Sequence, residues 1–295
     1  MEHIIVSTET NIKLFIVTGR LFQQRALRHR IRLPCQRLRI GLCNKPLHAR
    51  AWLRRQHLLK TRLNPGHRAI LEARVPLYSK VPAAMRPALE GAISNFIAEK
   101  VFVGCKGFEI TDDVRLTIAG NAGLLGMARE KRYFPGFETI LVYPDTYIAT
   151  QPSYDGLVVA QENSARLGES WHRGPIVLSW TDVVEGSANI EDGHNVVLHE
   201  FAHKLDEENT VMDGLPVLRN PEDYKAWTAV LTTEFAAFKD RVAQHSNTVI
   251  DSYGAVSAPE FFAVATESFF EKGPLMKARL PELHAQFSNF YGLDP

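Results

Sequence analysis

Residues 195–206, NVVLHEFAHKLD, constrain the fold more than any other stretch of the chain. Val197, Phe201, and Lys204 with Leu205 keep a helical period along one side, while His199 and His203 stand four residues apart on a common face. Such a helix needs a core behind its apolar side and open space in front of its histidines. Imidazoles at this spacing can reach one ion, and the Glu200 carboxylate lies beside them. Zinc takes imidazole nitrogen and carboxylate oxygen in a tetrahedral shell, and a catalytic site leaves one position to water. The metal lowers the pKa of that water from about 16 to about 7, so a nearby carboxylate can take its proton and deliver hydroxide to a carbonyl. The stretch therefore predicts His199 and His203 as metal ligands and Glu200 as a general base. The alternative is a partly buried helix whose histidines are hydrogen-bonded core or surface residues, although a pair of accidental exposed histidines would not need the apolar back.

A third protein ligand is required, and spacing leaves it open. Asp206 shares the ligand face three residues past His203, but its short side chain suits a hydrogen bond to a ligand histidine better. Glu222 lies 19 residues past His203, close to the separation in thermolysin-like enzymes, and Glu260 lies 57 past it. Both glutamates also have a local explanation. Asn220-Pro221-Glu222 and Ser257-Ala258-Pro259-Glu260 each read as a capped helix start with an acid in the first turn. A metzincin arrangement is excluded, because it needs Gly and His where this chain has Asp206 and Asn209, so Met212 is no sign of a Met-turn.

Around this helix the sequence predicts a folded domain from about Pro65. VPAAMRPALEGAISNFIAEKVF places Leu89, Ile93, Phe96, Ile97 and Val101 at three- and four-residue spacing, as in an amphipathic helix. DDVRLTIAGNAGLLGMARE reads as a second helix, with Thr111 as N-cap before Asp112 and Asp113. ETILVYP and GPIVLSW, bounded by Gly or Pro, read as strands. Three helical stretches follow: NVVLHEFAHKLDEE, PEDYKAWTAVLTTEFAAFKDRVAQH and PEFFAVATESFFEK. Helices, then strands, then helices predict an α+β domain with a small sheet and a ligand-bearing helix, not a doubly wound sheet. GPIVLSW precedes that helix. In zinc peptidases of this general architecture an upstream edge strand commonly pairs with extended substrate, so it is expected either at such an edge or, equally, inside the sheet.

Charge divides the chain. Its net charge of +1 conceals 15 Lys and Arg against Glu2 and Glu9 in residues 1–68, or +13, and −12 on the remainder. A basic arm of this kind can meet nucleic acid or anionic lipid. Its Arg-rich, acid-poor character also matches a transit peptide, although Ser7 is its only serine. No aromatic interleaving or nucleic-acid module accompanies the charge, so a solvated extension is the simpler reading. Leu14 to Val17 form an apolar run far short of the roughly 20 residues a membrane span requires. Cys35, Cys43 and Cys105 are too scattered for a disulfide framework, which favours a reducing, cytoplasmic setting.

The segments RYFPGFETILVYP, ESWHRGPIVLSW, NVVLHEFAHKLD, DSYGAVSAPEFFAVATE and LPELHAQFSNFYGLDP resemble the Mlc titration factor A family of bacterial zinc peptidases. The similarity runs from about Ala51 to the C-terminus. That family is related in its catalytic core to the anthrax lethal factor peptidase domain, so the resemblance implies a zincin-like fold and one Zn2+ per chain. It also implies that Glu260 is the third ligand and that Tyr253, seven residues earlier, donates a hydrogen bond to the oxyanion of the tetrahedral intermediate. Aminopeptidase-like activity on a peptide or protein substrate is expected. The alternative the resemblance carries is a regulatory binding protein that captures a transcriptional repressor, because the namesake binds the glucose-responsive repressor Mlc. The expected organisation is a basic N-terminal extension over residues 1–50 and a zinc peptidase domain over residues 51–295.

Overall fold

A computed structural model describes residues 47–127, 134–145, 147–155, 158–166, 168–170 and 174–295. The expected extension therefore lies outside the described residues as far as residue 46, as do Cys35 and Cys43. The described residues form one compact unit, Leu47–Pro295. Among them no helix is long and apolar enough to cross a membrane.

Helices lead. α1 (Leu47–Leu59), α2 (Pro65–Arg74) and α3 (Pro76–Lys80) precede α4 (Arg86–Glu99), which runs into β1 (Val101–Gly104). Leu89, Ile93 and Phe96 are buried on α4 as their spacing predicts, but Val101 belongs to the strand and is exposed. α5 (Asp112–Gly126) starts where its cap predicts, with the Thr111 hydroxyl accepting the Val114 N–H. The strands β2 (Thr139–Tyr143), β3 (Tyr147–Asp155), β4 (Val158–Arg166), β5 (Gly168–Ser170) and β6 (Ile176–Ser179) follow.

β1, β2 and β6 lie parallel, with Phe102 opposite Ile140 and Ile140 opposite Ile176. A parallel pair needs a crossover, and α5 supplies it between β1 and β2. β5 closes the sheet antiparallel to β6, and β3 with β4 form a separate antiparallel pair. The fold is thus mixed and mostly helical, with a small sheet in which three strands are parallel. β6 is not an edge strand. It is bonded to β2 on one side and β5 on the other, and its four residues are all buried, which is why GPIVLSW carries an unbroken apolar run. β5 occupies the edge next to it.

The chain leaves β6 directly into α6 (Trp180–Ala188), with Ser179 as N-cap, and then enters α7 (Val196–Asp206), the histidine helix. After a 3-10 turn at Glu207–Asn209 come α8 (Pro221–Ala243), a second 3-10 turn at Ser252–Ala255, α9 (Ala258–Glu271), α10 (Gly273–Arg279) and α11 (Pro281–Tyr291).

Two aromatic clusters fix α7 and α9 from behind. Phe201 on α7 meets Phe134, Phe96 and Phe137 at centroid distances of 4.9, 5.3 and 5.7 Å. On α9, Phe262 lies 5.8 Å from Trp227 of α8, and Phe269 lies 5.6 Å from Tyr291 of α11. Each ring removed from water stabilises its helix by roughly 2–3 kcal/mol. The loop after α7 reaches the start of α9 at Gly214, where φ is +80° and an added Cβ would stand 2.8 Å from the Ala258 carbonyl oxygen. Only glycine fits that approach. Gly214 also donates its N–H to Asp206 at 2.8 Å and accepts the Trp227 indole N–H at 3.1 Å, which joins the ends of α7, α8 and α9.

Candidate metal centre

α7 begins at Asn195, whose side chain accepts the Leu198 N–H at 3.1 Å. With Val197, Leu198, Phe201, Ala202 and Leu205 buried on its back, the helix turns His199 and His203 to one side. α9 begins at Ser257, whose hydroxyl accepts the Glu260 N–H at 3.3 Å, and this sets Glu260 in the first turn facing those histidines. Pro near the N-terminus of α9 costs no hydrogen bond there, because the first N–H groups of a helix have no partner within it.

The three side chains form a triangle. His199 Nε2 and His203 Nε2 are 3.1 Å apart, and Glu260 Oε2 lies 3.1 Å from the first and 3.4 Å from the second. One proton can satisfy one such edge, which leaves lone pairs facing each other along the rest. A cation at the centre satisfies all three. A tetrahedral zinc shell with bonds of 2.0–2.1 Å requires ligand separations of about 3.3 Å, which the three edges match. These residues therefore fit a metal ion, and they are the group of His, Cys, Asp and Glu that could hold one among the described residues.

Electrostatics agree with the geometry. Burial works against a charged His199, but the carboxylates of Glu260 and Glu267 on its two ring nitrogens hold its pKa well above the usual imidazole value. Burial likewise opposes ionisation of Glu260, but the two imidazoles hold it well below the usual carboxylate range. Negative charge and nitrogen donors thus converge on one point.

Glu200 lies next to His199 on α7, is 5% exposed, and its charge acts on both His199 and Lys204. Tyr253 stands on the 3-10 turn before α9, where Asp251 accepts its N–H at 2.8 Å. Its side chain is open to solvent, at 53% exposure, and its ring lies 6.1 Å from that of His199. Two sequence candidates lie elsewhere. Glu222 is exposed in the first turn of α8 and is not part of the triangle, so its local role as a helix-start acid suffices. Asp206 does not bond a ligand histidine. One of its oxygens accepts the Gly214 N–H, and burial pushes its carboxyl up to about 6.

Outside the triangle, the carboxylate that reaches a ligand histidine is Glu267, with Oε1 at 2.8 Å from His199 Nδ1. Sequence reasoning passed over it. The available signal was its position seven residues after Glu260, two turns along the same face of α9.

Residues 49–292 match a family described as glucose-regulated metallo-peptidase M90. The chain is 40% identical over 248 residues to an uncharacterised protein of Synechocystis sp. (strain ATCC 27184 / PCC 6803 / Kazusa), an alignment covering 83% of this chain and 90% of that protein. It is 30% identical over 225 residues to Mlc titration factor A of Yersinia pestis (strain Pestoides F) and of Yersinia pseudotuberculosis (serotype O:1b), covering 75% of this chain and 82% of each relative. A match that takes in both the histidine helix and the helix bearing Glu260 shows that the chain belongs to the glucose-regulated metallo-peptidase M90 family.

Proposed function

We propose that residues 51–295 form a zinc-dependent peptidase that hydrolyses peptide bonds with an activated water, with aminopeptidase-like action on small substrates in the cytoplasm. The observation that carries this reading is the triangle of His199 Nε2, His203 Nε2 and Glu260 Oε2. In it, His199, His203 and Glu260 hold one Zn2+, which when bound supplies Lewis acidity toward the scissile carbonyl and the attacking water. Glu200 accepts the proton of that water and returns it to the leaving amine. Tyr253, from the 3-10 turn before α9, donates its phenolic hydrogen to the oxyanion of the tetrahedral intermediate. Its exposure fits this role, because a donor to substrate must face the space that substrate enters.

A second reading has one observation in its favour, the identity with Mlc titration factor A. In it the chain captures a transcriptional repressor, and peptidase activity is secondary. The expected result of assaying the purified chain on short peptides with free and acetylated amino termini is cleavage that a chelator abolishes and zinc restores, faster on the free termini. Absence of cleavage together with tight capture of a repressor would favour the second reading.

A further inference from the structure

Glu267 bridges two donors. Its Oε1 lies 2.8 Å from His199 Nδ1, and its Oε2 accepts the Asn195 N–H at 2.5 Å. The second donor is held in place from several sides. Asn195 Oδ1 caps α7, and Asn195 Nδ2 donates toward Asn121 Oδ1 at 3.1 Å and Glu271 Oε1 at 3.2 Å. Asn195 is 1% exposed and Glu267 is 5% exposed, so water does not replace either partner readily. The bridge is satisfied when both carboxylate oxygens accept, and this requires the proton of a neutral His199 to sit on Nδ1. The Nε2 lone pair is then directed into the triangle. His203 has no corresponding partner, since its Nδ1 is buried without a hydrogen bond among the described residues.

We propose that Glu267 is a positioning residue, clamped by the Asn195 N–H, that fixes the tautomer of His199 and so presents Nε2 to the metal. The inference rests on the zinc reading above and adds to it a residue and a mechanism. It makes an unusual prediction about substitution. In Glu267→Gln the amide oxygen must accept the buried Asn195 N–H, because the reverse orientation sets two donors face to face. The amide NH2 then points at His199 Nδ1, which has to offer a lone pair, and the proton moves to Nε2, where it occupies the position at which the metal requires a lone pair. Glu267→Ala imposes no tautomer and leaves a gap that one water can enter as acceptor. The isosteric change is therefore the more damaging one. A packing role for Glu267 predicts the opposite order.

The test is zinc affinity of the full chain at fixed pH, measured by competition with a fluorescent chelator, for wild type, Glu267→Ala, Glu267→Gln and Glu271→Gln. Loss of a carboxylate behind a ligand histidine typically weakens metal binding about 10- to 100-fold. Glu267→Ala is expected near the lower figure, and Glu267→Gln at or beyond the higher one. Glu271→Gln, which alters an equally buried acid that touches Asn195 but not His199, is expected within about threefold of wild type. Thermal melts of the metal-free proteins establish that each variant folds. In the zinc-loaded wild type, nitrogen-labelled histidine should show a proton on His199 Nδ1. An alanine variant weaker than the glutamine variant, or Glu267→Gln within threefold of wild type, would overturn the inference while leaving the zinc site standing. A Glu271→Gln loss equal to that of Glu267→Gln would overturn it too, and failure of the wild type to bind zinc would remove both readings.

Discussion

Glu271→Gln should change how stability depends on pH, by an amount that follows from the burial of this group. Glu271 is 4% exposed on α9, and burial pushes its carboxyl up to about 8, against the opposing hydrogen bond from Asn195 at 3.2 Å. The charges of Asp192 and Glu267 push in the same direction as burial. Its ordinary value is 4.5. Between those limits the folded protein keeps a proton that the unfolded chain has released, so stability must fall as pH rises. The contribution is complete below about 4.5 and gone above about 8. Glutamine carries no such proton. The unfolding free energy of wild type minus that of the variant should therefore drop by about 2.5 kcal/mol from pH 5.5 to pH 7.5. Urea denaturation of the metal-free proteins, followed by circular dichroism at both pH values, measures this difference. Other titrations, that of His199 included, are common to both proteins and cancel. A difference constant within about 0.5 kcal/mol would refute the reasoning, because it would mean that Glu271 does not exchange its proton in this window.

Other outcomes follow from the site. Glu200→Gln is expected to keep the metal and its stability and to lose on the order of a hundredfold or more in turnover, since the amide cannot accept the water proton. Activity within a fewfold of wild type would remove Glu200 from that role. Zinc titration is expected to show a sharp loss of affinity in Glu260→Ala and none in Glu222→Ala; the reverse would favour a thermolysin-like shell. Tyr253→Phe should bind zinc at wild-type stoichiometry and turn over about 100- to 1000-fold more slowly with a nearly unchanged Michaelis constant. Wild-type turnover would dismiss the oxyanion role, and loss of zinc would make the tyrosine a structural support.

The parts of this structure legible in the sequence are those whose signals are local. Thr111, Asn220 and Ser257 each cap a helix in the way their positions suggest, because a cap and the N–H it accepts lie within three residues. The paired histidines were legible for the same reason, as i and i+4 fix a common face. Long-range relations were not. β6 lies inside the sheet because β5 pairs with it, and a three-residue partner leaves no periodic trace. The β3–β4 pair was missed because Tyr147–Asp155 carries a proline and few apolar residues in alternation. Spacing left Glu222 and Glu260 tied, since each is also a helix-start acid, and it took the packing of α9 against α7 to separate them geometrically. Asp206 was drawn from the right helix face but bonds forward to Gly214, and the carboxylate on His199 comes from 68 residues away.

The central claim is that His199, His203 and Glu260 hold one zinc ion. Anomalous diffraction at the zinc absorption edge, on crystals of the protein as purified, tests it directly. The account predicts one peak per chain, about 2.0–2.2 Å from His199 Nε2, His203 Nε2 and a Glu260 oxygen. A zinc peak elsewhere, or none at this triangle even after soaking in zinc, would contradict it.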